Sequence, residues 1–141
     1  MQYRIEISDG QKEDIVIIAR ERTPLVERIE EMLAAESVGL FGYRDGEIVR
    51  VEGAYCFFVE GGRVYALTDG GRWQMRERLY TLEETVGNDY VKINQSCLIR
   101  VDKIARFRTT IGGSLEVLLK NGYTDYVSRR QLKKVKERLG I

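Results

Sequence analysis

The sequence of 141 residues contains no histidine, a single proline and only two cysteines. The lack of histidine excludes most catalytic triads and most zinc sites. The two cysteines, Cys56 and Cys97, form no ligand-spaced cluster, and we expect them to be buried thiols of a cytosolic protein. No nucleotide-phosphate motif is present. We therefore expect the protein not to be an enzyme and to need no metal ion or other cofactor.

Long apolar runs are also absent. No stretch of about 18 apolar residues is available to cross a membrane. The first residues, MQYRIEISDGQKED, lack the basic and apolar regions of a secretory signal. These two features predict a cytoplasmic protein. A hydrophobic content of 43% is sufficient for a globular core.

The charges are segregated along the chain, although the net charge is only +1. Residues 1–87 contain 11 Lys and Arg against 17 Asp and Glu, a net charge of −6. Residues 88–141 contain 12 against 5, a net charge of +7. A basic C-terminal third suggests an anionic partner. The alternative is a solvated basic surface that faces an acidic region of the same chain.

The first 45 residues are predicted to form a small α/β segment. Alternating and β-branched residues predict strands at Tyr3–Ile7 and Asp14–Ala19. An amphipathic helix follows, with Thr23 as its N-cap and Pro24 as its first residue.

Residues 46–141 are predicted to be mostly β with short helices. Helical spacing predicts one helix that ends at Gly87 and a terminal helix from Ser128 to Gly140. Short turns separate the strand-like runs. The predicted turns are Asp45-Gly46, Gly61-Gly62, Asp69-Gly70-Gly71 and Asn121-Gly122.

One break between strand-like runs contains neither glycine nor proline. In YVKINQSCLIRVDKIARF, the side chains of Asn94, Gln95 and Ser96 interrupt two apolar runs. Asn and Gln amides can pair with an adenine edge, and a Ser hydroxyl can hold a phosphate. The alternative is that Asn94 and Ser96 only form a turn. Arg129 and Arg130 begin the terminal helix, where the helix dipole favours a phosphate group, unless they simply belong to a solvated surface.

This C-terminal block resembles the LytTR DNA-binding domain of bacterial transcription regulators. The resemblance covers residues 46–140, and the first 45 residues resemble the leader of stand-alone members. The residues that carry it, in order, are Tyr90, Lys92, Ser96, Ile104, Asn121-Gly122 and Ser128-Arg129. Asn94, Gln95 and Arg100 depart from the residues that are common in the family.

The resemblance implies an elongated, antiparallel β fold that binds double-stranded DNA as a homodimer on direct repeats. Loops, and not a recognition helix, would enter the major groove. The resemblance also implies a small membrane-protein antagonist, because stand-alone members are often encoded beside one. We therefore expect the first 45 residues to serve dimerisation or to bind such an antagonist. No small-molecule substrate is expected.

The predicted DNA-contacting residues are Arg63, Lys92, Asn94, Gln95, Ser96, Arg129, Arg130 and Lys133. Asn94 and Gln95 are expected to contact base edges, and Lys92 and Ser96 the backbone. Of the two arginines, Arg130 is the better candidate for a base contact. A hypothesis of a different class also fits the charges: a protein-interaction module whose basic face docks an acidic protein or the anionic inner membrane surface.

Overall fold

The computed structural model describes Ile5 and residues 17–141. The strand predicted at Tyr3–Ile7 lies outside the described residues apart from Ile5. The strand predicted at Asp14–Ala19 is described only from Ile17 to Ala19, where the chain forms neither helix nor strand.

Ten strands and three α-helices are present in the described residues. The strands are β1 (Leu40–Arg44), β2 (Glu47–Val51), β3 (Cys56–Glu60), β4 (Arg63–Thr68), β5 (Gly71–Met75), β6 (Tyr90–Asn94), β7 (Cys97–Arg100), β8 (Ile104–Thr109), β9 (Leu115–Leu119) and β10 (Thr124–Val127). The helices are α1 (Pro24–Val38), α2 (Leu79–Val86) and α3 (Arg129–Leu139), with short 3-10 turns at Gly87–Asp89 and Val101–Lys103. The expectation of a mostly antiparallel β fold with short helices is confirmed.

Seven strands form the large sheet, in the order β2-β1-β5-β4-β3-β7-β6. Its hairpins turn where the sequence predicts. Asp45 and Gly46 have φ values of 48° and 81°, and Gly61 and Gly62 have φ values of 58° and 75°. Two successive residues in the left-handed region are what a tight two-residue hairpin requires, and Gly and Asp tolerate that conformation best.

Strand β1 belongs to this sheet although it precedes the predicted boundary between residues 1–45 and 46–141. It pairs with β2 from Leu40 opposite Val51 to Arg44 opposite Glu47, and it contacts β5 through Tyr43 opposite Gln74. The division into two parts stays a prediction. The structure shows that the strands on either side of it form one hairpin.

The remaining strands form a small sheet, in the order β10-β9-β8. This sheet and α3 cover one face of the large sheet. The buried residues of this first core are Cys56, Ile93, Cys97, Ile99, Leu115, Val117, Leu119, Val127 and Val135. Both cysteines are buried and free, as predicted.

Helix α2 covers the opposite face of the large sheet. The buried residues of this second core are Val51, Ala54, Phe57, Ala66, Met75, Leu79, Leu82 and Leu98. Neighbouring residues of one strand therefore enter different cores, as Leu98 and Ile99 do, because side chains alternate between the faces of a sheet. Strands β3 and β7 are packed on both faces.

The helix ends follow the predicted signals. The Thr23 hydroxyl accepts a hydrogen bond of 3.2 Å from the Val26 amide, and Pro24 is the first helical residue. At the end of α3, Gly140 adopts the left-handed conformation of a helix C-cap. Ser128 occupies the N-cap position of α3, but its side chain makes no capping hydrogen bond.

Gly42 provides a test of whether β1 is part of the folded core. A methyl group on Gly42 would lie 2.5 Å from Cβ of Trp73, so Gly42→Ala must push β1 away from β5. We expect it to lower the free energy of unfolding by about 1–3 kcal/mol in denaturant titrations, as overpacking does. Gly112→Ala is the matched control, since nothing lies within 4 Å of the added methyl group. Equal stability of the two variants would contradict the packing of β1.

Candidate nucleic-acid interface

The Asn94-Gln95-Ser96 stretch is a tight turn between β6 and β7. Gln95 and Ser96 are exposed, while Asn94 is half-buried at the end of β6. The Asn94 side-chain oxygen Oδ1 accepts a hydrogen bond of 2.8 Å from the Ser96 amide. This side-chain bond closes the turn in place of a glycine conformation, which explains why no glycine is needed here.

The β3–β4 hairpin lies directly beside this turn. The Val59 amide donates a 2.9 Å hydrogen bond to the carbonyl oxygen of Ser96, and Phe58 pairs with Cys97 in the sheet. The end of β3 and the start of β7 are therefore neighbours. Arg63 follows the Gly61-Gly62 turn and is exposed at the same end of the sheet.

The start of α3 is attached to the other side of the turn. The Ser128 amide donates a 2.8 Å hydrogen bond to the carbonyl oxygen of Ile93, the residue before Asn94. Arg129 and Arg130 come next and are exposed. Three segments, residues 61–63, 94–96 and 128–130, thus meet at one end of the large sheet. We call this the loop surface.

The loop surface presents cations that are not neutralised within the described part of the chain. No ion pair is found there for Arg63, Arg129 or Arg130. Glu60, the acidic residue nearest in sequence to Arg63, forms an ion pair with Arg72 on β5. The N-terminal end of α3 adds its own positive electrostatic potential. Such a surface favours an anionic partner.

Lys133 extends this basic surface along α3. It is exposed and lies four residues after Arg129 and three after Arg130, so the three side chains share one face of the helix.

Lys92 lies away from the loop surface. It lies on the edge strand β6 and lines a cleft of about 400 Å³ between α2 and α3, together with Glu83, Gln131, Lys134 and Arg138. The structure therefore brings all the predicted contact residues except Lys92 to the loop surface or the adjoining face of α3.

Comparison with known proteins identifies the family. Residues 47–140 match the model of the LytTr DNA-binding domain. The chain belongs to the LytTR family. The predicted resemblance is confirmed, and the match covers nearly the same residues.

Relatives and a solved structure agree with this assignment. Proteins of Staphylococcus aureus strains NCTC 8325 and MRSA252, named uncharacterized HTH-type transcriptional regulators, are 33% identical over 104 residues. These residues cover 72% of this chain and 71% of each relative. A LytTr DNA-binding domain from Bacillus cereus has the same fold, with a TM-score of 0.68 and 12% identity, over 72% of this chain and 96% of that domain.

The name of those relatives refers to a helix-turn-helix, but the helices in the described part of this chain are arranged differently. Strands separate α1 from α2 and α2 from α3 along residues 17–141, so consecutive helices joined by a short turn do not occur there.

None of the helices in that range is long and apolar enough to cross a membrane.

Asn94 forms the turn, as one of the two interpretations of the sequence predicted, and it also contacts β10, which the sequence did not predict. Its amide nitrogen Nδ2 donates to the Asp125 carboxylate at 3.1 Å and to the Tyr126 carbonyl oxygen at 2.8 Å. Both amide hydrogens are therefore used, and Oδ1 is bound by the Ser96 amide. A base contact by Asn94 stays a prediction, but Nδ2 has no spare hydrogen for it. Gln95 is the exposed amide of the turn.

Asp125 and Tyr123 were not predicted as part of the interface. Oδ1 of Asp125 also accepts from the Tyr126 amide at 2.8 Å, and Oδ2 accepts from the Tyr123 hydroxyl at 2.9 Å. Burial raises the pKa of Tyr123, and the nearby Asp125 charge acts in the same direction, so the hydroxyl remains a donor. The sequence did contain one signal for Asp125. Side chains two residues apart on a strand point to the same face, so Asp125 lies on the same side of β10 as the buried Val127.

Asn94 and Gln95 are neighbours in the turn, but their side chains should contribute differently to the stability of the protein. Asn94→Ala leaves the Tyr126 carbonyl and the Ser96 amide without their side-chain partner, and it removes one of the three hydrogen bonds that the Asp125 carboxylate accepts. We expect it to lower the free energy of unfolding by about 1–3 kcal/mol. Gln95→Ala is the matched control and should change it by less than about 0.5 kcal/mol. Denaturant titrations measure both, and a destabilisation by Gln95→Ala as large as that by Asn94→Ala would refute the assignment.

Proposed function

We propose that this protein is a cytoplasmic transcription regulator that recognises specific sites in double-stranded DNA through the loop surface. The observation that carries the proposal is the meeting of three segments with exposed residues, 61–63, 94–96 and 128–130, at one end of the sheet. Each of them bears side chains that suit bases or phosphates. Membership of the LytTR family supports DNA as the partner, and the names of the relatives support regulation of transcription.

The spacing of the loops suits neighbouring base pairs. In the strand order β4-β3-β7-β6, the β3–β4 turn and the β6–β7 turn are centred two strand spacings apart. At about 4.8 Å for each spacing, the separation is roughly 10 Å. That distance corresponds to about three base pairs along a duplex, which rises about 3.4 Å per step. The two turns can therefore contact successive parts of one major groove.

We assign the predicted contacts by chemistry and position. Gln95 and Arg130 would contact base edges, because both are exposed and can form paired hydrogen bonds. Ser96, Arg129 and Lys133 would hold phosphates beside them, with Lys92 as a more distant backbone contact. Arg63 would make a third contact from the β3–β4 turn. We further propose that the protein binds as a homodimer on direct repeats, and that its N-terminal segment serves dimerisation or binds a small membrane-protein antagonist, as the family resemblance implies.

Salt dependence tests whether phosphate contacts supply the affinity. If Arg129, Lys133 and one further cation each neutralise a phosphate, log Kd plotted against log salt should have a slope of magnitude about 2.7 per protomer. Fluorescence anisotropy with a duplex chosen from a random library measures this slope. A flat response, or equally tight binding to anionic lipid vesicles, would favour an interaction module over a DNA-binding regulator.

Alanine variants separate a base contact from a phosphate contact. Arg130→Ala should cost roughly 1–3 kcal/mol of binding free energy and relax selectivity at one base pair. Arg129→Ala should weaken binding to all sequences by a similar factor and reduce the salt slope. Lys120→Ala is the matched control, because this exposed residue lies beside the β9–β10 turn, at the opposite end of the small sheet from the start of α3.

The outcomes of this comparison are distinct when measured by competition against duplexes with single base changes. A uniform loss for Arg130→Ala would make it a phosphate contact. An effect of Lys120→Ala equal to that of Arg130→Ala would contradict the location of the interface.

A further inference from the structure

A polar network connects the β6–β7 turn to strand β10 and the start of α3. Asn94 lies at its centre and donates to Asp125 and to the Tyr126 carbonyl, which lie 31 and 32 residues away in sequence. The same side chain accepts from the Ser96 amide. One amide therefore joins the segment that carries Gln95 to the segment that precedes Arg130.

Asp125 holds Asn94 in this orientation. Its two oxygens accept from the Asn94 amide, the Tyr126 amide and the Tyr123 hydroxyl, at 3.1, 2.8 and 2.9 Å. The carboxylate is half-buried and forms no ion pair among the residues that the structure describes. A carboxylate so close to a basic, phosphate-facing surface repels DNA phosphates. Its presence there therefore suggests that Asp125 has a role other than contacting DNA.

We propose that Asn94 and Asp125 are positioning residues of the DNA interface: their hydrogen bonds set the separation of Gln95 and Arg130, and neither residue contacts DNA. The inference rests on the proposed function. It departs from the expectation that Asn94 contacts a base, because both hydrogens of its amide are donated within the protein.

The physical basis is preorganisation. Two loops that contact neighbouring bases must be held in register before binding, since ordering them during binding would cost affinity. Backbone hydrogen bonds already connect the segments, from Ser128 to Ile93 and from Val59 to Ser96. They fix the strand ends, whereas the Asn94 side chain fixes the turn that follows. Its loss should leave the fold in place and loosen the placement of Gln95.

The decisive variant is Asp125→Ala, because Asp125 has no proposed contact with DNA. The measured quantity is a selectivity ratio, the Kd for a duplex changed at the base pair assigned to Gln95 divided by the Kd for the selected duplex. We expect Asp125→Ala to lower this ratio about tenfold, the size of one good base contact. Thr124→Ala, an exposed neighbour on the same strand, is the control and should leave it unchanged. A merely structural loss would reduce the active fraction and leave the ratio intact.

A double-mutant cycle shows through which residue Asp125 acts. If it positions Gln95, the effects of Asp125→Ala and Gln95→Ala on the ratio are not additive, and the double variant resembles Gln95→Ala alone. Additive effects would overturn the proposal. So would a wild-type ratio in Asp125→Ala combined with a lowered ratio in Asn94→Ala, which would make Asn94 a direct base contact.

A second variant and a DNA-free measurement cover the case in which Asp125→Ala does not fold. Asn94→Asp faces Asp125 and the Tyr126 carbonyl with an acceptor, so repulsion moves the side chain away from β10 and weakens its bond to the Ser96 amide; it should lower the ratio in the same way. Amide hydrogen exchange of the protein alone should be faster at Ser96 in either variant and unchanged at Gly122, in the opposite turn.

These measurements also separate the inference from the proposed function. Unchanged exchange at Ser96 together with an unchanged selectivity ratio would reject the positioning role. Lack of selective DNA binding by the wild-type protein would reject the proposed function. Faster exchange at Ser96 in the variants would still show that the network holds the turn in place.

Discussion

The hydrogen bonds of the Asn94 side chain are the constraint on which the loop surface depends. Two of them are donated to β10, and one is accepted from the turn that Asn94 itself begins. Without them the β6–β7 turn would be held through its own strands and the backbone hydrogen bonds from Val59 to Ser96 and from Ser128 to Ile93. The polar residues that interrupt the strand-like runs are thus divided between two tasks. Asn94 builds the turn, and Gln95 and Ser96 remain available to a partner.

The turn rests on a rigid base. Strands β3 and β7 are packed on both faces, since Phe57 and Leu98 enter one core while Cys56 and Ile99 enter the other. All four side chains are at most 1% exposed. Binding groups placed on loops are precise only when the scaffold below them is rigid. The charge segregation of the chain has its structural counterpart here, because the basic C-terminal third provides both the turn and the start of α3.

Much of the fold could be predicted from the sequence because its signals are local. Gly61-Gly62 and Asp45-Gly46 require backbone conformations that few other residues accept, and the spacing of Leu79, Leu82 and Val86 follows a helix. The order of the seven strands and the pairing of β1 with β5 could not be predicted, since they depend on contacts between distant parts of the chain.

The sequence indicated which residues belong to the candidate site, but not which of them would be exposed and which would bond within the protein. An Asn amide has the same donors and acceptor whether it faces an adenine edge or a carboxylate and a carbonyl. The partner that decides its role, Asp125, lies 31 residues further along the chain. The resemblance to the LytTR family indicated in which segments to expect DNA contacts, but Asn94 and Gln95 depart from its common residues. Only the three-dimensional contacts separate the internal amide from the exposed one.

The most direct test of the account is to map the DNA-binding surface by NMR. Backbone amide shifts of the isotope-labelled protein would be followed while a selected duplex is added. We predict the largest changes at Arg63, Gln95, Ser96 and Arg130, with little change around Lys120 at the opposite end of the small sheet. Changes concentrated at that opposite end, or along α2, with the loop surface unaffected, would contradict the claim that this end of the sheet binds DNA.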